Sequence, residues 1–140
     1  MRHKPSVDEL NAFFNESFPQ AKVRVEALGD ASATVRHRVG HAELRPGGTV
    51  SGPVMMTTAD VALYAAILGE IGLVPLAVTT ALNINFLRKP AAGCDILGVC
   101  RLLKVGKTLA IGEVSIFSEG SDEPVAHAVG TYSIPPERPI

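Results

Sequence analysis

The sequence predicts an α+β domain in which one long antiparallel sheet wraps around a single buried helix. Three observations carry this reading. Residues 53–70 are apolar nearly all round, and Asp60 is the only charge between Arg45 and Glu70. A surface helix would show a polar face, so this segment belongs inside. Four strand-like segments follow, at 77–88, 96–104, 109–118 and 125–134, as in an antiparallel meander. Ala126, Ala128 and Gly130, continued by Ala110 and Gly112, fall on alternate positions, and small residues let a curved sheet approach a helix closely.

Taken in order, Ser6 with Glu9 three residues on makes a capping box, and Leu10, Phe13, Phe14 and Phe18 recur at helical spacing until Pro19, which predicts a helix over 6–18. Residues 22–28 and 32–39 read as two strands joined at Gly29-Asp30. The stretch 40–52 is irregular, punctuated by Pro46, Gly47, Gly48 and Gly52. Pro53 suits the first turn of the long helix over 53–70, which would run roughly 27 Å, and Gly69 and Gly72 end it. In 77–88, Leu82, Ile84 and Phe86 alternate with Ala81, Asn83 and Asn85. Gly106-Lys107 and residues 119–122 are the hairpin tips. No repeat or linker divides the chain, so residues 1–140 are expected to form one domain.

The composition narrows the function classes. A chain of 140 residues that is 46% hydrophobic can bury a core without metal or disulfide staples. A net charge of -1 argues against nucleic acid as a partner. Cys94 and Cys100 are too few for a disulfide framework and read as small core residues. The first ten residues carry charges where a signal peptide needs an apolar run, and the charge-poor stretch 46–69 is a poor membrane span, being broken by Asp60 and rich in Gly, Pro, Ser and Thr. A soluble cytoplasmic domain with no membrane partner is the expectation. Aromatic residues are 5% with no Trp, so the core must be packed from small aliphatics.

Asp60 is the foremost candidate for chemistry. A buried carboxylate is costly without partners, and ionisable groups in apolar clefts are enriched at functional sites. Thr57 and Tyr64, three before and four after it, extend a polar stripe on the same helix face. The helix N-terminus is the second candidate. After Gly47-Gly48-Thr49-Val50-Ser51, Gly52 presents its N–H with no side chain in the way, where the helix dipole favours developing negative charge. Gly52 and Asp60 are eight residues apart, roughly 12 Å along one helix. Serving one atom therefore calls for two copies packed side by side.

Residues 51–60, Ser-Gly-Pro-Val-Met-Met-Thr-Thr-Ala-Asp, resemble the central-helix motif of the hotdog-fold acyl-CoA thioesterases of the phenylacetate-pathway type. That motif is His-Gly-Gly, four variable residues, then Leu-Ala-Asp or Leu-Ala-Glu. The order of elements is similar too. Residues 83–90, Asn-Ile-Asn-Phe-Leu-Arg-Lys-Pro, look like the family's next strand, and residues 103–107, Leu-Lys-Val-Gly-Lys, like its basic hairpin. The likeness spans roughly residues 20–135. It implies an acyl-CoA thioesterase with Asp60 as nucleophile or general base and the Gly52 N–H polarising the thioester carbonyl.

It further implies substrate positioning by Ser51, Arg45, Thr57 and Tyr64, and contacts from Arg88, Lys89 and Lys107 to the coenzyme A phosphates. No cofactor is expected beyond the coenzyme A of the substrate, and the partners are further copies of the chain, as a dimer or a dimer of dimers. The sequence departs from the family at Ser51, where His is usual, at Arg45, commonly Asn or Gln, at Tyr64, often a small hydroxyl residue, and at Thr58, usually Leu. The departures at Ser51, Arg45 and Tyr64 motivate the alternative of a non-catalytic acyl-CoA-binding protein.

Other signals are weaker. Gly106-Lys107-Thr108 lacks the leading Gly of a phosphate-binding loop, because residue 101 is Arg. Ser51 lacks a Gly-x-Ser-x-Gly frame. His37, His41 and Glu43 lack a helical metal-ligand frame, so no metal is expected. No His lies between Ala42 and Ala126, which disfavours a His-dependent dehydratase. His127 reads as a packed or edge histidine.

Overall fold

A computed structural model describes residues 3–136, so residues 1–2 and 137–140 of the expected domain lie outside the described residues. Helix α1 (Val7–Ser17) starts at the expected capping box, in which Ser6 Oγ accepts from the Glu9 N–H and the Glu9 carboxylate accepts from the Ser6 N–H, both at 3.1 Å. Strands β1 (Val23–Gly29) and β2 (Ser32–His37) form the expected hairpin, with the turn one residue later than the spacing suggests. Gly29 pairs with Ser32, and Ala31 takes the positive φ of 48°. The rest of the fold pins this turn: the Ala31 N–H donates to the Glu70 carboxylate at 3.1 Å, and the Leu102 N–H donates to the Ala31 carbonyl at 2.8 Å.

The stretch expected to be irregular holds one 3-10 turn (His41–Glu43) and a two-rung hairpin of β3 (Leu44–Arg45) and β4 (Thr49–Val50). Glu43 organises it. Its buried carboxylate accepts from the Gly40 N–H at 2.7 Å and from Lys22 Nζ at 3.1 Å, which hold it below the usual carboxylate range. Its backbone carbonyl accepts the Ser51 N–H at 2.9 Å, fixing where the long helix begins.

That helix, α2, spans Gly52–Ile71, one residue longer at each end than expected. By length and composition it is apolar enough to cross a membrane, contrary to the reading of 46–69. Its apolar surface is instead spent inside the fold, where Ala62 to Leu68 are buried without a break. Strands β5 (Val78–Phe86), β6 (Ile96–Val105), β7 (Leu109–Ser118) and β8 (Ala126–Ser133) follow within one or two residues of expectation.

Their order corrects the four-strand meander. The six-stranded sheet runs β1-β2-β6-β7-β8-β5, so of the last four strands only β6, β7 and β8 are consecutive neighbours and β5 sits at the far edge beside β8. The connection from β5 crosses the strand ends to do this. The Leu87 and Arg88 N–H groups donate to the Val125 carbonyl, the Ala91 N–H reaches Ser118 Oγ at the end of β7, and the Asp95 carbonyl accepts the Glu119 N–H before β6 begins. Periodicity identifies strands but is silent on which of two open edges a strand joins.

The small-residue face is the floor on which α2 lies. A Cβ on Gly130 would sit 2.4 Å from Leu63 Cδ1, on Gly112 2.8 Å from Leu63 Cδ2, and on Gly98 3.0 Å from Thr58 Cγ2. Gly112 and Gly130 are cross-strand partners, so both methyls of the buried Leu63 rest on bare backbone.

The two sheet edges differ. At β1 the Asn11 side chain accepts the Val25 N–H at 2.8 Å and donates to the Val25 carbonyl at 2.9 Å, so α1 covers that edge. Strand β5 is exposed along almost its whole length, carries no charge and no proline, and among the described residues has no backbone partner on its outer side. Leu76, Val78, Phe86 and Leu87, at or beyond its ends, are half or more exposed. An edge so bare is a template for another strand.

The floor makes a direct prediction. Gly130→Ala is expected to lower stability by about 1–3 kcal/mol in denaturant melts, because a packed leucine must move. Shrinking that leucine in the same chain, as Leu63→Ala, should cost less than it does in the wild type. Full additivity of the two changes would contradict the contact.

Candidate active site

Asp60 lies on α2 where the helix passes the start of β5 and the end of β8. It is half-buried, and one of its oxygens is firmly held. Oδ1 accepts from Thr79 Oγ1 at 2.6 Å and from Tyr132 OH at 2.7 Å. The Tyr132 hydroxyl also lies 3.0 Å from the Asp60 carbonyl. Oδ2 has no protein partner among the described residues. A groove of about 310 Å³ opens at this carboxylate, with Phe18, Val61, Tyr64, Pro75, Ala77 and Val78 supplying its other walls.

Aromatic rings fix the back of this groove. Phe14 stacks on Tyr64 with centroids 5.9 Å apart, and Tyr64 stacks on Tyr132 at 6.0 Å. The Tyr64 hydroxyl donates to the Pro75 carbonyl at 3.0 Å, tying down the loop between α2 and β5. Burial raises the phenol pKa of Tyr64, and burial with the Asp60 charge raises that of Tyr132 much further, so both remain protonated donors.

Gly52 belongs to a different groove, of about 460 Å³, with Arg45, Thr49, Met55, Phe86, Arg88 and Lys89 among its walls. Its N–H is at the helix start and has no protein acceptor among the described residues. Gly52 faces the Phe86 ring, whose Cζ would lie 3.4 Å from a Cβ placed there. The two grooves sit at opposite ends of β5, Thr79 marking one and Phe86 the other, roughly 23 Å apart at the rise of a strand. One chain therefore does not bring Gly52 and Asp60 together.

The remaining expected site residues divide between these places. Tyr64 joins Asp60, although its hydroxyl is used on the loop. Thr57 is exposed and lines neither groove, so the expected Thr57-Asp60-Tyr64 stripe does not form one surface. Ser51 is the N-cap without a side-chain capping bond. Arg45, Arg88 and Lys89 share the Gly52 groove, while Arg88 also donates to the Pro124 carbonyl and lies 3.7 Å from the Glu123 carboxylate. Lys107 is at the β6-β7 tip, where the Ile134 N–H donates to the Thr108 carbonyl, the end of the sheet where Val78 pairs with Ser133. Within one chain it is thus at the opposite end from Arg88 and Lys89.

Other singled-out groups are engaged elsewhere. His127 Nε2 lies 3.0 Å from Glu113, which also pairs with Arg101 at 2.7 Å on the outer face of the sheet. The Cys100 thiol is pushed up to about 12 by burial. The ring of His37 is buried with Nδ1 2.9 Å from the Arg38 carbonyl.

Thr79 and Tyr132 were not legible as site residues from their spacing. The signal that exposes them is a β-bulge. Thr79 pairs with Tyr132 and Ala81 with Thr131, so Thr80 is the extra residue, and the shift turns Thr79 to the inner face beside Tyr132.

The Thioesterase superfamily matches residues 47–125. A proposed thioesterase of Silicibacter sp. is 49% identical over 94% of this chain and 92% of its own, with a TM-score of 0.86. Zebra fish thioesterase superfamily member 2 is 24% identical over 94% of this chain and 99% of its own, with a TM-score of 0.81. The PaaI protein of the E. coli phenylacetic acid degradation operon is 22% identical over 90% of this chain and 91% of its own, with a TM-score of 0.78, a likeness of fold. No curated protein matches. A buried helix on a six-stranded antiparallel sheet is the hotdog fold these relatives share, and the chain belongs to the Thioesterase superfamily.

Proposed function

We propose that this thioester hydrolase cleaves an acyl-coenzyme A to free acid and coenzyme A, with Asp60 as general base or nucleophile and the Gly52 N–H of a second copy polarising the carbonyl. The observation that carries this reading is the half-buried Asp60 carboxylate at an apolar groove, with one oxygen held by two hydroxyls and the other without a partner among the described residues. As a base, Asp60 takes a proton from water while the water oxygen adds to the thioester carbon. As a nucleophile, it adds to that carbon itself, and water then opens the anhydride. In both routes negative charge grows on the carbonyl oxygen, the C–S bond breaks, and the sulfur leaves as the thiol once protonated.

The bare edge of β5 supports assembly from two copies. An antiparallel partner strand centred on Asn83 pairs Leu82 with Ile84 of the other chain, and because Thr79 and Thr80 share one place at the bulge it sets Thr79 of one chain against Phe86 of the other. The Asp60 groove of each chain then meets the Gly52 groove of its neighbour, twice per dimer. The same pairing brings Lys107 to the same end of the joined sheet as the neighbour's Arg88 and Lys89, the other two cations expected for the coenzyme A phosphates. Apolar walls on the Asp60 side suit the acyl group, and cations on the Gly52 side suit the nucleotide.

Thiol release from short-chain, aromatic and long-chain acyl-CoAs tests the reaction. Asp60→Asn keeps an oxygen for Thr79 and Tyr132 but removes base and nucleophile, and is expected to slow turnover by about two orders of magnitude. Unchanged turnover in the folded variant would take Asp60 out of the mechanism. Light scattering at assay concentration should give a dimer or larger assembly, and an active monomer would contradict the composite site.

A further inference from the structure

Proposing that Asp60 does the chemistry leaves open which of its oxygens reacts and what fixes it there. The carboxylate is not gripped symmetrically. Both hydroxyl donors, Thr79 Oγ1 at 2.6 Å and Tyr132 OH at 2.7 Å, fall on Oδ1. They come from one cross-strand pair, aligned by the bulge at Thr80. Tyr132 is 3% exposed and held by its stack on Tyr64, so its hydroxyl has little freedom to leave. Its oxygen also lies 3.0 Å from the Asp60 carbonyl, so its single proton is shared between two acceptors of the same residue, the closer being Oδ1.

Resting on the Asp60 reading above, we propose that Tyr132 and Thr79 are positioning residues, holding Oδ1 and leaving Oδ2 as the oxygen that meets water or the thioester. Two donors on one oxygen stop rotation about the Cβ–Cγ bond. They also place that oxygen's charge against permanent dipoles, so Oδ2 is presented in one orientation without reorganisation during the reaction. The burial of Tyr132 keeps its phenol protonated across the working pH range, so the grip does not titrate away. The family's small hydroxyl residue four after the carboxylate is Tyr64 here, and its hydroxyl is turned to the Pro75 carbonyl. In this chain the hydroxyls on the carboxylate come from the sheet.

The test compares kcat and KM for Tyr132→Phe, Thr79→Val and Thr79→Ser, each alone and combined with Asp60→Asn, on whichever acyl-CoA the wild type turns over fastest. Light scattering and thermal melts accompany each variant. Loss of either hydroxyl is expected to lower kcat by roughly ten-fold or more, the worth of a hydrogen bond to a charged group, with KM little changed. Thr79→Ser, which keeps the hydroxyl, should recover most of what Thr79→Val loses. In the Asp60→Asn background the same changes should cost little more, since they act through that carboxylate.

Wild-type kcat in Tyr132→Phe and Thr79→Val, alongside a collapse in Asp60→Asn, would overturn the positioning role and leave the reading of Asp60 intact. Full additivity with Asp60→Asn would overturn it too. Wild-type turnover in Asp60→Asn itself would remove both. If Tyr132→Phe does not fold, the exposed Thr79 decides the matter alone.

Discussion

Everything else in this molecule depends on how close α2 lies to the sheet. Gly98, Gly112 and Gly130 leave the backbone bare, and two side chains of the helix, Thr58 and Leu63, settle into the space where Cβ atoms would be. With aromatic residues only 5% of the chain, shape must do what bulk does elsewhere. The close approach also makes the site possible. Tyr132, on the same strand as Gly130, can reach the Asp60 carboxylate and the Asp60 carbonyl only because helix and strand are held together there.

A second constraint lies at the edges of the sheet. Asn11 supplies β1 with the donor and acceptor that a neighbouring strand would, so that edge is finished. The other edge, β5, is uncharged and bare, and links the two grooves end to end. Unsatisfied backbone and a divided site call for the same remedy, a second β5 running the opposite way. Stability and catalysis would then rest on one contact, and the function is proposed as a property of the pair.

Much of this was legible in the sequence, for identifiable reasons. An unbroken apolar segment with one charge gave both the core helix and Asp60, since burial and chemistry leave their marks at single positions. The capping box at Ser6 and Glu9 and two glycines of the floor, Gly112 and Gly130, are equally local, whereas Gly98 carried no such mark. What escaped was relational. The placement of β5 beyond β8 depends on the route of residues 87–95 across the strand ends, which periodicity does not encode. Thr79 and Tyr132 reach Asp60 through a single-residue register shift, invisible without the partner strand. Thr57, correctly spaced on the helix, faces solvent because neither groove extends to it.

The central claim is that Asp60 and Gly52 serve one thioester from different chains, and mixing two inactive proteins tests it most directly. One carries Asp60→Asn. The other carries Gly52→Pro, which deletes the N–H; Ser51 already has the extended backbone that must precede a proline. After subunit exchange, each mixed dimer has one site with both lesions and one with neither. Random mixing makes half the dimers mixed, so activity should rise from near zero to about one quarter of wild type. If both parents fold and exchange but activity stays at the level of the parents, the two residues do not share a site across the seam.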